Sequence, residues 1–281
     1  MRRFILIFTT AAFAVGYPAA PALADWDPGD GHKMHYPQLP DPNGWDVAAT
    51  PTGPAPGIIR HVADDWRCSE TGLVDSIHFW GSWKNGIVGT IDSFYISIWL
   101  DDPAGPGGYF DDNPYSMPLY RDEDGNLGEV WYYGVYPGEY TQRWYGAGDQ
   151  GWYDPHDQTA IQSDHTDYYQ YNVDCTWLPN PFFQEEDTIY WLMIQAYTSD
   201  GTEWGWKTSV DHWNDDATYY DSLVAVPPGY PHEGWMRPDW RELYDPLMPD
   251  VSLDMAFVIT PEPSALSLLV LGGLLAIRRR R

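Results

Sequence analysis

Apolar and other side chains alternate with a period of two along several stretches of this sequence, and helical periodicity is nearly absent. The clearest alternating stretches are Phe94 to Leu100, Tyr169 to Cys175 and Leu253 to Ile259. Successive side chains of a strand point to opposite faces, so this pattern predicts strands with one buried face. Thr188 to Thr198 is apolar on both faces at its centre, which predicts a central strand.

Leu73 to Trp83 and Val130 to Tyr136 are further strand candidates, and Gly- and Pro-rich segments such as Thr50 to Gly57 separate the candidates as loops. We expect about eight to ten strands from this spacing. The pattern predicts an all-β, single-domain, antiparallel β-sandwich of jelly-roll-like type.

The first residues have the pattern of a secretory leader. A basic start, Met1 to Arg3, precedes an apolar run from Phe4 to Val15, and Ala22 to Ala24 fits the small-x-small rule for signal peptidase. We therefore predict a signal peptide over residues 1–24 and an exported domain over residues 25–260.

The last residues combine an apolar run with a basic end. Ser264 to Ile277 has no charged side chain and, as a helix, would span about 21 Å, which is short for a bilayer core of about 30 Å. Arg278 to Arg281 would stay on the cytoplasmic side. The segment predicts transient membrane anchoring, and an ordinary single-span C-terminal anchor is the alternative.

Pro261, Glu262 and Pro263, followed by the short apolar run and the arginines, resemble the PEP-CTERM sorting signal. The resemblance covers residues 261–281. It implies that a membrane transpeptidase, the exosortase, cuts near this motif. It also implies that the protein is exported to the cell surface or an exopolysaccharide matrix, and is membrane-anchored before processing.

Four stretches of the body resemble an uncharacterised secreted domain that recurs in proteins with this sorting signal. They are ADDWRCSE (63–70), IHFWGSW (77–83), QGWYDP (150–155) and GWKTSVDHWNDD (205–216). The resemblance implies a fold and a location, and leaves the activity open.

The body is strongly acidic. Of 15 basic and 41 acidic residues in the chain, six basic and one acidic lie in the terminal segments, which leaves 9 and 40 in residues 25–260. Such a surface excludes nucleic acid as a partner and disfavours anionic lipid. Solubility through mutual repulsion is one explanation of the charge, and binding of divalent cations by carboxylates is the other.

Two acidic segments are candidate calcium sites. In RDEDGNLGE (121–129) the candidate ligands are Asp122, Asp124, Asn126 and Glu129, at a spacing similar to a calcium loop. The alternative is a plain acidic hairpin turn.

The second segment is DHWNDD, in which Asp211, Asp215 and Asp216 surround Trp213, together with His212 and Asn214. These residues would bind a metal ion or a sugar, or only cap turns through Asx hydrogen bonds. Asp64 and Asp65 present the same two alternatives.

Exposed Trp and Tyr rings stack on sugar rings, while neighbouring polar groups bind the hydroxyls. The candidates for a carbohydrate platform are Trp131, Trp144, Trp152, Tyr153 and Trp213, several of them in sequence that we interpret as loop-rich. The alternative is that these rings fill the core.

Cys68 and Cys175 are the two cysteines, and in an oxidising compartment they predict one disulfide. The sequence contains no nucleophile elbow, no HExxH motif and no phosphate loop, so we predict no catalytic residue. The favoured function is a non-catalytic module that binds carbohydrate, such as exopolysaccharide, with calcium assistance. The alternatives are an extracellular glycoside hydrolase or lyase, and a structural protein that associates with itself.

Overall fold

The computed structural model describes residues 25–52, 60–106, 108–109, 113–122, 124–226, 228–230 and 233–260. The described residues form strands, one 3-10 turn at Lys84–Gly86 and no α-helix. The strands are β1 (Trp45–Ala48), β2 (Val62–Arg67), β3 (Gly72–Leu73), β4 (Ser76–Trp83), β5 (Ser93–Asp102), β6 (Met117–Pro118), β7 (Glu129–Val135), β8 (Tyr140–Asp154), β9 (Thr159–Asp174), β10 (Phe183–Gln184), β11 (Ile189–Tyr197), β12 (Trp204–Lys207), β13 (Thr218–Ala225), β14 (Met236–Glu242), β15 (Tyr244–Asp245), β16 (Met248–Ser252) and β17 (Phe257–Thr260).

The predicted leader (1–24), the predicted sorting signal (261–281) and most of the predicted loop from Thr50 to Gly57 lie outside the described residues. In the described ranges, no helix has the length and apolar character needed to cross a membrane.

Two large sheets form the domain. The first sheet has the order β12-β1-β8-β9-β4-β17. Its edge strand β12 also pairs with β4, so that β12, β1, β8, β9 and β4 form a closed ring of strands. The second sheet has the order β14-β13-β2-β11-β5-β6, with β7 also paired to β5. Nearly all pairings are antiparallel, and β1 with β8 is a parallel one. The predicted all-β, sandwich-like single domain is confirmed.

Aromatic rings fill the space between the two sheets. Phe94 of the second sheet meets Phe79, Tyr171 and Trp204 of the first sheet, with ring centroids 5.1, 5.2 and 5.3 Å apart. All three contacts are edge-to-face, the geometry that the ring quadrupoles favour. Burial of these large rings supplies much of the apolar area that stabilises the sandwich.

Most of the predicted strands are confirmed. Phe94 to Leu100 lies in β5, Tyr169 to Asp174 lies in β9, and the predicted central strand is β11, which pairs with β2 and β5. Leu253 to Ile259 is a strand only from Phe257 onwards. The described residues contain 17 strands, more than the eight to ten expected, because many are short: β3, β6, β10 and β15 have two residues each, and β1, β12 and β17 have four.

The interpretation of the aromatic segments as loop-rich is wrong for the longest hairpin of the fold, which β8 and β9 form. The glycines of β8 stand where other groups approach the strand. A Cβ on Gly148 would lie 1.7 Å from the Pro42 carbonyl oxygen, and one on Gly151 would lie 2.4 Å from the Trp45 ring. Register shifts in the pairing of β8 with β9 further interrupt the alternation.

The predicted disulfide is not formed, since Cys68 and Cys175 are both free, buried thiols. Cys68 directly follows β2 in the second sheet, whereas Cys175 directly follows β9 in the first sheet. The Cys68 thiol donates to the Glu70 carbonyl oxygen at 3.1 Å. An oxidising compartment predicts pairing only for cysteines that the fold brings into bonding geometry, and these two thiols are not bonded.

Candidate functional site: an acid cluster beside exposed aromatic rings

Strand β2 presents two adjacent carboxylates on opposite faces of the second sheet. Asp64 pairs in register with Leu192, and Asp65 pairs with Trp191. Because neighbouring strand residues point to opposite sides, Asp64 faces the interior of the sandwich and Asp65 faces the outer side. Both side chains are fully buried.

Asp64 is held by hydrogen bonds that the fold supplies. Its Oδ2 accepts from Gln38 Nε2 at 2.8 Å and from the Met255 amide at 2.5 Å, and its Oδ1 accepts from the Asp65 amide at 2.8 Å. Burial and the nearby Asp254 carboxylate nevertheless raise the pKa of Asp64 well above its ordinary value.

Asp65 has no such support. It is 1% exposed, and neither of its carboxylate oxygens has a hydrogen-bond partner among the described residues. Burial raises its pKa well above the ordinary value, and Asp64, Asp215, Asp254 and Asp101 add repulsion. A buried carboxylate in this state must stay protonated or meet a cation.

Asp101, near the end of β5, lies on the same outer face. Its Oδ1 accepts from the Trp191 indole N–H at 2.8 Å. Burial raises the pKa of Asp101 to about 6 against this hydrogen bond, with repulsion from Asp215 and Asp102 adding to the rise.

The DHWNDD loop, residues 211–216, brings His212 and Asp216 next to Asp254. One donor atom from each of His212, Asp216 and Asp254 lies within 4.8 Å of the other two. Asp254 is fully buried; its Oδ2 accepts from the Trp213 amide at 2.8 Å, and its Oδ1 lies 3.5 Å from His212 Nδ1. The Asp254 carboxylate beside the ring raises the pKa of His212. We call these groups the acid cluster, and its members are Asp64, Asp65, Asp101, Asp215, Asp216, Asp254 and His212.

Two exposed aromatic rings lie directly beside the acid cluster. Tyr36 and Trp213 stack with ring centroids 3.6 Å apart and planes 12° apart. Tyr36 is 49% exposed and Trp213 is 37% exposed. We call this pair the aromatic platform.

A groove of about 400 Å³ lies on the second sheet, and Tyr115, Tyr219, Asp239, Arg241, Glu242 and Tyr244 line it. The Tyr244 hydroxyl donates to the Glu242 carboxylate, which raises the pKa of Tyr244 to about 12, and the Asp216 charge contributes to this rise. The tyrosine groove is therefore within electrostatic reach of the acid cluster.

The prediction that Trp131 and Trp152 stack on sugars is wrong, because both rings are buried in the core. Trp131 is 8% exposed and donates its indole N–H to the Asn180 carbonyl oxygen, and Trp152 is 0% exposed. Tyr153 is half-buried and packs edge-on against Trp45 at 6.2 Å. The alternative of core filling therefore holds for Trp131 and Trp152, and Tyr153 packs at the edge of the core.

Trp144 is 59% exposed, and its indole N–H donates to Asp167 Oδ1 at 2.9 Å. It lies on β8 in the first sheet, whereas the acid cluster is built on the second sheet. Trp144 is thus a candidate platform separate from the one that includes Trp213.

The first acidic segment forms a turn. Asp122 Oδ1 accepts from the Asn126 amide and Oδ2 from the Asn126 side-chain amide, both at 2.8 Å. Glu129 instead accepts from the Tyr95 hydroxyl at 2.9 Å on β5, and Asp124 is exposed. The predicted ligands therefore do not converge, which supports the alternative of an acidic hairpin turn.

In the second acidic segment, the structure does bring predicted metal ligands close to other carboxylates. Asp215 and Asp216 both approach other carboxylates, but Asp211 turns away and accepts from the Leu39 amide at 3.4 Å. The sequence interpretation missed Asp101 and Asp254. Asp254 interrupts the apolar run of Leu253, Met255 and Ala256, and a lone acid inside such a run was the available signal.

No curated protein matches the chain in a sequence search. A family profile described as a domain of unknown function, DUF7901, matches residues 34–260. This match spans the two sheets, the acid cluster and the aromatic platform, and because it covers most of the chain, the protein belongs to the DUF7901 family.

Proposed function

We propose that this protein is an exported, non-catalytic carbohydrate-binding module of the cell surface or exopolysaccharide matrix, assisted by a divalent cation such as calcium. Export follows from the leader pattern of residues 1–24. Processing by an exosortase, after transient membrane anchoring, follows from Pro261, Glu262 and Pro263 with the apolar run and arginines behind them.

The aromatic platform carries the carbohydrate part of this proposal. An exposed Trp ring offers a flat apolar face to the C–H groups of a sugar, and its loop neighbours offer polar groups to the hydroxyls. Trp213 combines these features, because its ring is stacked by Tyr36 and its amide is anchored on the buried Asp254. A residue whose ring is stacked on one face and whose backbone is anchored loses little freedom when a sugar binds to the other face.

The tyrosine groove supports the same function. It offers three Tyr rings together with the carboxylates of Asp239 and Glu242 and the guanidinium of Arg241. Its volume of about 400 Å³ lies within the range of small-ligand sites. A polysaccharide bound on Trp213 would have a polar, aromatic surface on which to continue.

Co-sedimentation of the purified protein with a panel of insoluble polysaccharides tests the proposal, with calcium and with chelator. We expect the wild type to bind, Trp213→Ala to lose at least about tenfold in affinity, and Trp177→Ala to bind like the wild type. Trp177 is a matched control, because it is 45% exposed but lies on a different loop.

Loss of binding in Trp144→Ala with retention in Trp213→Ala would move the platform to the first sheet. Absence of binding to every polysaccharide would contradict the proposal. If the molar mass measured by light scattering then increases with calcium, a structural protein that associates with itself is favoured.

One observation favours a second candidate, a polysaccharide hydrolase or lyase. Asp101 has a pKa raised to about 6 and lies near the Asp215 carboxylate, and glycosidases use two carboxyl groups in different protonation states. Release of reducing ends from the same panel, lost in Asp101→Asn with circular dichroism unchanged, would establish this candidate. Binding without product in the wild type would exclude it for those polysaccharides.

A further inference from the structure

The first observation is a set of donor atoms at the spacing that a bound metal ion imposes. The donor atoms of His212, Asp216 and Asp254 lie within 4.8 Å of one another. Ligands that lie about 2.0–2.6 Å from one common ion have this separation. The Trp213 amide fixes Asp254 Oδ2, so that Oδ1 remains directed towards His212.

The second observation is independent of that spacing. The Asp65 carboxylate is 1% exposed, and both of its oxygens lack a hydrogen-bond partner within the described chain. Its electrostatic neighbours are carboxylates, among them Asp215 and Asp254. Within the donor set itself, Oδ1 of the fully buried Asp254 likewise has no hydrogen-bond partner among the described residues. Buried charges in proteins are paired or coordinate metals, so these carboxylate oxygens indicate a missing positive partner.

Two other groups of buried acids in the described chain have basic partners. Asp154 forms an ion pair with the buried Arg60. Asp46 forms ion pairs with the buried Lys207 at 3.1 Å and with His165 at 3.0 Å. Every buried acid in these two groups has a basic side chain beside it.

The acid cluster differs from those groups. Among the described residues, the one ion pair of its six carboxylates is that of Asp254 with His212, whose side chain is 45% exposed. One imidazole cannot neutralise so many carboxylates, and no Lys or Arg of the described chain forms an ion pair with them. The cluster must therefore hold protons or a cation, and a set of ligand atoms lies within it.

We propose that His212, Asp216 and Asp254 bind a divalent cation, whose positive charge also neutralises the buried Asp65 carboxylate. The cation joins the DHWNDD loop to Asp254, which lies about forty residues further along the chain. It thereby holds Trp213, which lies between two of the loop residues, in a fixed position. In this respect the inference rests on the proposed function, because it supplies the assisting cation of the aromatic platform.

The donor set also bears on which cation binds. Carboxylate oxygens suit calcium, magnesium and manganese, whereas an imidazole nitrogen suits manganese and zinc. A site with two carboxylates and one imidazole is therefore expected to bind Mn²⁺ or Zn²⁺ more tightly than Ca²⁺. Calcium would be preferred only if oxygens replace the imidazole, for example from Asp65 and Asp215.

Isothermal titration of the chelator-treated protein with MnCl₂, ZnCl₂ and CaCl₂, followed by thermal melts, tests this inference. The variants are Asp216→Asn and His212→Ala, whose side chains are not buried, with Asp122→Asn as the control from the other acidic segment. We expect binding of one cation per chain, a higher melting temperature with the cation, and at least about tenfold weaker binding in Asp216→Asn. Asp122→Asn is expected to bind like the wild type.

Mn²⁺ or Zn²⁺ binding that both His212→Ala and Asp216→Asn weaken supports the three-residue site. Cation binding that is lost in Asp216→Asn but kept in His212→Ala would remove His212 from the ligand set and overturn the proposed site. Absence of any response to millimolar cation, or Asp216→Asn binding equal to wild type, would overturn the inference. Because the titration contains no polysaccharide, its failure is distinguishable from failure of the proposed carbohydrate binding.

Discussion

The two acidic segments, 121–129 and 211–216, have similar compositions, but their carboxylates find different partners in the fold. In the first, both oxygens of Asp122 accept from Asn126, four residues away, so the segment satisfies its own polar groups. In the second, Asp216 and His212 approach Asp254, which lies about forty residues further along the chain. The pKa of Asp122 is lowered by its hydrogen bonds from Asn126, whereas burial raises the pKa of Asp254.

This difference teaches that clustered acids in a sequence do not by themselves indicate a metal site. An Asp that can bond to its own turn needs no cation. Other carboxylates are buried by the fold and have no local donor for both oxygens. Such a group is stable only if a proton, a basic side chain or a metal ion neutralises it.

The largest expected effect is on the response to cation. Asp254→Asn should weaken the binding of divalent cation by about 10–100-fold, because it removes the buried member of the ligand set. Asp122→Asn should leave the affinity unchanged. Titration calorimetry on both variants checks this, and equal loss in the two would remove the distinction between the segments.

The second effect is on stability without cation. Asp65→Asn should stabilise the cation-free protein by about 1–3 kcal/mol at neutral pH, because it removes a buried carboxylate that no group balances. Asp124→Asn, an exposed acid of the first segment, should leave the unfolding midpoint unchanged. Urea unfolding in chelator measures both. A destabilised Asp65→Asn would mean that Asp65 has a favourable partner in the folded protein.

The third effect sharpens the comparison through pH. In cation-free protein, Asp101 should titrate at about 6 and Asp122 below its ordinary value of 3.8. A raised pKa means that the contribution of Asp101 to stability is complete below about 4 and is lost as pH rises through about 6. A lowered pKa means that the contribution of Asp122 is present above about 4 and is lost as pH falls. Carboxyl-carbon NMR titration measures both values, and coincident titrations would contradict the contrast in burial.

The smallest effect is local. Asp122→Ala should remove the side-chain bonds to Asn126 and loosen the turn, with little change in the unfolding midpoint, because the segment is exposed. Amide hydrogen exchange should increase at Asn126 and remain unchanged at Trp213. Faster exchange at Trp213 would show that the two segments are coupled.

Much of the fold could be predicted from the sequence, because alternation is a local property. The position of β5 followed from alternation directly, and that of β11 followed from an apolar run on both faces. The β8–β9 hairpin did not, since Gly148 and Gly151 suggest turns when the Pro42 carbonyl and the Trp45 ring that require them are not known. In the site, Trp213, Asp215 and Asp216 were identified from composition, but Asp101 and Asp254 were not, because each lies in or beside a predicted strand.

The sequence by itself determined the all-β class, the acidic surface and the presence of exposed aromatic rings, since these follow from side-chain type and period. Only the tertiary structure decided which acids meet and which rings are buried. Trp144 and Trp152 lie on the same strand, yet one is 59% exposed and the other is 0% exposed. The physical reason is that burial and neighbouring charge depend on contacts between residues far apart in the chain, such as Asp65 with Asp215 and Asp254.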